Sequence, residues 1–222
     1  IGSKRIGGTS WDGVNISTTR SPNSLQQNYG DDGRSEVILD AAGNVLVASC
    51  TQSTGNISAN NFPVRGIVFQ GTPGGSQDGV LIKLSPDLSS VIFSSFLGGN
   101  SNDAAYVLSV APNGNIYVAG GTESDASSFP GNETGTIGSV NNGSIDGFVA
   151  IISSNGASII RSTFIGTSGR DQVFGIQFDN MGFPYITGQT TGNWPVQNAT
   201  FSNPGGKQFI CKMQPDLSGY VY

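Results

Sequence analysis

A chain that repeats itself in register cannot fold as an arbitrary globule, and this one does so three times. Counting from Asp32, Asp103 and Asp171, a glycine follows 11 positions later at Gly43, Gly114 and Gly182, and a threonine 19 later at Thr51, Thr122 and Thr190. The second half of the unit is as regular: Asp78 and Asp146 each stand 20 residues before the glycine of Phe96-Leu97-Gly98 or Phe164-Ile165-Gly166. Such self-similarity means one supersecondary unit used again and again, which buries its apolar surface by stacking on its neighbours.

Each unit holds four short β-branched and aromatic runs, a to d, parted by turn residues. In the first unit they are Ser35–Leu39, Val45–Ala48, Val80–Leu84 and Val91–Leu97; in the second, Tyr106–Val110, Ile116–Ala119, Phe148–Ile152 and Ile159–Ile165; the third repeats the plan from Val173. The a–b links Ala41-Ala42-Gly43-Asn44, Pro112-Asn113-Gly114-Asn115 and Asp179-Asn180-Met181-Gly182 place glycine where a tight hairpin needs positive φ. Four antiparallel strands joined in order make one twisted sheet, and sheets stacked face to face gain roughly 1.5–3 kcal/mol for each Val, Ile, Leu or Phe they bury. The expected fold is all-β: a β-propeller-type array of about three four-stranded antiparallel blades, a segment of a larger propeller. Residues 1–8 read as the end of a preceding blade, 9–31 as an inserted loop, and 32–99, 100–166 and 167–222 as three blades, the last strand incomplete.

The b–c connections are long and unequal, and each carries an aromatic-Pro step: Phe62-Pro63, Phe129-Pro130 and Trp194-Pro195. Because strands alternate in direction, the b–c and d–a connections leave one rim and the short a–b and c–d turns the other. The variable loops and the repeated aspartates therefore share a face, and partners are expected on residues 52–77, 123–145 and 191–206, with the opposite rim bland.

Composition removes several classes of function. Charged residues make up 11% of the chain and the net charge is −5, against the clustered Lys and Arg that a nucleic-acid binder needs. No apolar stretch reaches the ~18 residues of a membrane helix, so neither nucleic acid nor membrane insertion is expected. Ile1 opens mid-pattern, which suggests a remainder of a longer polypeptide upstream. Cys50 and Cys211 fall in different strands two units apart, and two buried free thiols are expected.

There is no histidine, which removes Ser-His-Asp and Cys-His catalysis and every histidine metal site. The remaining chemistry is carboxylate, at Asp12, Asp32, Asp103 and Asp171 before strand a, with Asp31 adjacent, and at Asp78 and Asp146 before strand c. One reading has each aspartate accept N–H groups of its own Gly-rich turn, recurring because the unit recurs. The other has pairs such as Asp103 with Asp146 hold Ca²⁺, with Asp32 and Asp171 as further ligands, or flank a glycosidic bond as acid and base. The first is favoured because these residues obey the repeat's symmetry and no compact Asp-x-Asp-x-Asp loop is present. No catalytic residue and no cofactor is expected, with Ca²⁺ the alternative. Trp11, Trp194, Phe62 and Phe129 could form a ligand-binding platform on the loop rim or fold back over a sheet edge; Trp194, in the shortest loop, has least room to fold back. Glu123, Asp125 and Glu133 read as solvated charge.

The Asp-Gly-(apolar)5, Phe-(Leu/Ile)-Gly-Gly-x-x-x-Asp and Gly-Asn-(Val/Ile)-x-Val-Ala segments resemble the SBBP family, the seven-bladed β-propeller repeat of bacterial extracellular proteins, over most of residues 32–222. Asp171-Gln172-Val173-Phe174 with Gly188-Gln189-Thr190 further resembles the N-terminal propeller region of gliding-motility-associated, type IX-secreted surface proteins of the Bacteroidota. The third unit departs from the pattern, with Lys207-Gln208 in place of Asp-Gly and Pro184 opening its b strand. The resemblance implies an extracellular or outer-surface repeat protein serving as scaffold, adhesin or binding platform, with cell-surface or secretion-machinery proteins or surface glycans as partners, and it supplies no catalytic residues. A carbohydrate-active propeller enzyme, glycosidase or lyase, using rim carboxylates is the alternative.

Overall fold

The computed structural model describes residues 3–15, 25, 34–53 and 61–222. Among them there is no helix and there are eleven strands: β1 Glu36–Leu39, β2 Val45–Thr51, β3 Asp78–Leu84, β4 Val91–Leu97, β5 Asp103–Val110, β6 Ile116–Thr122, β7 Asp146–Ile152, β8 Ile159–Ile165, β9 Asp171–Phe178, β10 Pro184–Thr190 and β11 Gln208–Lys212. They form three separate antiparallel sheets in chain order: β1-β2-β3-β4, β5-β6-β7-β8 and β9-β10-β11. The fourth strand expected in the last sheet is reduced to a bridge between Met213 and Tyr220.

The turns explain the chain order. Gly43, Gly114 and Gly182 have φ of 80°, 85° and 83°, the conformation expected of them, and it lets the a–b hairpins close in so few residues. At each of these hairpins the preceding residue accepts the turn's N–H groups, Asp40 and Asp179 through their carboxylates. Both aspartates then pair with a lysine of their own sheet, Lys83 and Lys212. Strand a also carries a repeated irregularity. Tyr106 and Phe174 are the extra residues where the register of β5 against β6 and of β9 against β10 shifts, and their rings lie 5.6 Å apart.

The sheets stack face to face, with β5 lying across β2 and β3, and β9 across β6 and β5. Between the first two sheets lie Leu46, Ala48, Leu81, Phe93, Leu108, Val118 and Phe148. Between the second and third lie Val107, Tyr117, Val149, Ile151, Ile176, Phe209 and Cys211. The middle sheet is thus covered on both faces, and every residue of β6 and β7 is buried. Cys50 and Cys211 are free and buried, as expected, and burial pushes both thiols up to about 12, which keeps them protonated and inert.

A main-chain bond joins each stacked pair: the Asp103 N–H donates to the Gln77 carbonyl at 2.9 Å, and the Asp171 N–H to the Ile145 carbonyl at 2.9 Å. These bonds put the first residue of strand a in one sheet beside the first residue of strand c in the sheet before it.

Candidate functional site

The aspartates sit where the long loops meet the sheets, each as the first residue of its strand. Asp103 and Asp146 stand on either side of Thr122 in one rung, Asp78 and Asp12 flank Thr51 in the same way, and Asp171 lies opposite Thr190. Asp31 and Asp32 lie outside the described residues. In the first sheet the corner belongs instead to Asp12, which bridges to Thr51 and accepts its hydroxyl at 2.6 Å. The chain therefore begins strand a at Asp12 and Gly13, and resumes it at Glu36.

One local device recurs at every corner. Asp12 accepts the N–H of Gly8, Asp78 that of Gly74, Asp103 that of Gly99, Asp146 that of Asn142 and Asp171 that of Thr167, each four residues upstream. The distances run from 2.7 to 3.1 Å, and the carboxylate closes the turn by taking N–H groups the sheet cannot use. Ser124 and Thr167 add hydroxyl donors to Asp103 and Asp171 at 2.8 and 2.9 Å. The rung threonines help as well: Thr51, Thr122 and Thr190 each accept the N–H two residues on.

The glycine that ends Phe-(Leu/Ile)-Gly in both units follows from the same corner. A β-carbon on Gly98 would collide with Asp78 Oδ1 and Asp103 Oδ2, and one on Gly166 with both oxygens of Asp146. The corner carboxyls, from two sheets at Gly98 and from Asp146 at Gly166, thus close on a backbone that only glycine can supply.

The pair expected from sequence, Asp103 with Asp146, is split by strand β6. Thr122 of β6 stands between its members in one rung. The groups brought together are Asp78 with Asp103 and Asp146 with Asp171, across the junctions between sheets. No group of three or more His, Cys, Asp or Glu able to hold a metal occurs among the described residues.

The loop aromatics divide. Phe62 and Phe129 are buried, so the platform expectation is corrected for both. Phe62 packs on Phe96 at 5.1 Å, and Phe129 on Phe148 and Phe164 at 4.8 and 5.6 Å. Trp194 has folded back too, stacked on Phe209 at 3.6 Å with the rings 6° from parallel. Each ring plugs the loop-side end of a core that would otherwise open to water. Trp11 remains on the rim, 72% exposed.

Sequence reasoning passed over the other apolar groups there: Phe201 at 82% exposure, with Val196 in the same loop, Ile67 in the first long loop and Val140 in the second. The available signal is symmetry. The aromatic-Pro steps repeat and are structural, whereas Phe201 matches no residue of the other units. Glu123 and Glu133 are half-buried acceptors of Asn102 Nδ2 and Ser162 Oγ and not solvated charge; Asp125 is exposed and holds the turn at Ser127. On the opposite rim Met181, at the tip of the last a–b turn, is exposed, as are Leu39, Ile92 and Ile160 beside the turns.

Compared with known proteins, the chain matches no family model and no curated sequence.

Proposed function

We propose that this chain is a non-enzymatic repeat module of a secreted or cell-surface protein, a β-propeller-type scaffold that binds partners through its loop rim. The observation that carries this reading is that the repeat carboxylates Asp78, Asp103, Asp146 and Asp171 are buried and tied to their own turns, while Trp11, Val196 and Phe201 are exposed on the loop rim. A glycosidase of the two-carboxylate kind needs a carboxylate pair open to substrate. A binding surface needs exposed apolar anchors with a polar surround, and Phe201, Val196 and Trp11 amid Asn, Ser and Thr supply that. The resemblance to extracellular bacterial repeats is consistent with this, and surface glycans or proteins of the outer surface and the type IX secretion machinery are the partner classes it suggests.

A glycan array read beside a reducing-end release assay tests the proposal. The expected outcome is binding that Phe201→Ala or Trp11→Ala weakens by about tenfold, with no reducing ends released. Release from any polysaccharide, lost on replacing the exposed Asp125 with Asn, would instead make the chain an enzyme.

A further inference from the structure

No described sheet covers either end of the stack, and both ends keep apolar residues where the interior buries them. Val37 and Leu39 stand opposite Val47 and Val45 on the face of the first sheet that looks away from the second. Their counterparts one unit on, Leu108, Val110, Val118 and Ile116, lie under the first sheet. Leu108 is 0% exposed, whereas Val37 is 63% and Leu39 65% exposed. At the other end Ile210, 73% exposed, holds in β11 the place that Leu81, 0% exposed, holds in β3 beneath the second sheet. A unit that ends an array in water turns a polar face outward, and neither of these does so throughout.

Part of a sheet before the first is already in place. Ile6 packs with Phe62, Val80 and Phe96, as Leu97 of β4 packs with Phe129, Phe148 and Phe164. The Gly8 N–H donates to Asp12 and the Ser10 N–H to Ser53 Oγ, as the Gly99 N–H donates to Asp103 and the Ser101 N–H to Ser124 Oγ. Lys4 donates to the Leu88 and Ser89 carbonyls in the c–d turn of the first sheet, and Arg161 of β8 to the Asp216 carbonyl in that of the third. Residues 4–8 therefore sit on the first sheet as the end of a strand d sits on the sheet that follows it, without strands a to c beside them among the described residues. The third sheet is the converse. It has strands a to c, and the outer edge of β11 is bonded, among the described residues, only around Lys212 and Met213. Its face also repeats a device of the first sheet: Lys83 pairs with Asp40 and reaches the Ser154 carbonyl of the second sheet's c–d turn at 3.4 Å, and Lys212 pairs in the same way with Asp179 at 2.7 Å.

We propose that a second copy of this chain fills both ends: the third sheet of one copy stacks on the first sheet of the other, β11 pairs with residues 4–8 of the partner, and the same contact made twice closes a ring of six sheets. The interface continues the one that the chain already forms twice within itself, sheet face on sheet face, with Ile210 taking the role of Leu81 and Val37 and Leu39 those of Leu108 and Val110. Lys212 then reaches the partner's c–d turn at Pro86, the counterpart of Ser154. Such a contact is head to tail, and two of them about a twofold axis leave no open end. Six sheets fall within the ~4–8 of closed arrays of this kind.

Sedimentation velocity of the intact chain tests this, with monomer expected at about 1 µM and a dimer at about 500 µM. Val37→Lys and Ile210→Lys each put an ammonium into the dry contact and should raise the dissociation constant at least about tenfold. Each also makes the copy less negative, so the loss cannot come from general repulsion. Both sites are exposed, and at about 1 µM the melting temperature of either variant should stay within about 3 °C of the parent. An equimolar mixture of the two variants should associate again, because one of its two contacts is then free of either lysine. A chain still monomeric at about 500 µM overturns the proposal and assigns the two faces to another partner. A dimer that both variants leave intact, or one that both abolish and the mixture does not regain, overturns it as well, and polymers of ever greater length overturn the closed ring.

Discussion

Strands β7 and β11 hold the same place in their sheets and have opposite fates. All seven residues of β7 are buried, whereas β11 alternates, with Phe209 and Cys211 buried and Gln208 and Ile210 exposed. The inward residues correspond, Phe148 to Phe209 and Ala150 to Cys211; the outward ones do not, since Val149 and Ile151 of β7 meet the third sheet while Ile210 and Lys212 of β11 look away from the stack. The first residues differ too. Asp78 and Asp146 each meet an aspartate of the next sheet, and Lys207, at the equivalent position opposite Thr190, meets none among the described residues. The c strands thus differ, in their outward positions and first residue, between one that a described sheet covers and one that no described sheet covers.

Mutations on the two sides of this comparison should differ most in the core. Phe148→Ala is expected to cost about 3–5 kcal/mol in denaturant unfolding, because the ring is fully enclosed and touches Phe129. Ile210→Ala, at the surface of β11, should change stability by less than about 0.5 kcal/mol. Equal losses would show that the outer face of the third sheet is covered in solution. Next come the hairpins, where the two sheets should agree: Gly114→Val and Gly182→Val should each lose about 1–2 kcal/mol, since both sites have positive φ and β-branched residues resist it. An unchanged melting temperature in either would reject the turn assigned there.

The corners should be milder. At neutral pH, Asp103→Ala is expected to lose roughly 0.5–2 kcal/mol by analogy with lost helix caps, and Asp103→Asn much less, because an amide oxygen still accepts the Gly99 N–H and the Ser124 hydroxyl. Asn as damaging as Ala would mean that charge, and not acceptor geometry, holds the corner. The smallest effect belongs to Lys207→Asp, which restores the repeat's residue at a position with no aspartate of another sheet beside it among the described residues; the melting temperature should move by less than about 2 °C. A large destabilisation would assign Lys207 a partner.

The strands and hairpins were legible because they repeat, and local chemistry alone dictates them: Gly114 reads as a turn without knowledge of anything beyond its neighbours. The neutral, buried thiols could be read from spacing alone as well. What could not be read was which repeated groups meet. Asp103 and Asp146 look like partners because they share a unit, yet a full strand lies between them, and Asp103 instead meets Asp78 of the sheet before it. Nor did the rule of short loops hold for Trp194, since the flat face of Phe209 was close enough for even that loop to fold onto it. The start of the first sheet was displaced for a similar reason: Asp12 lies far from Glu36 in sequence, but ladder geometry with Thr51 selects it.

The coupling of one sheet to the next through the Asp103 N–H and the Asp171 N–H has an evolutionary consequence. An amide and a carbonyl are present whatever the side chains, so a duplicated unit enters the stack with its hook already made and need not await matching substitutions in its neighbour. Lineages can lengthen or shorten such an array by recombination between copies, and the side chains then diverge afterwards.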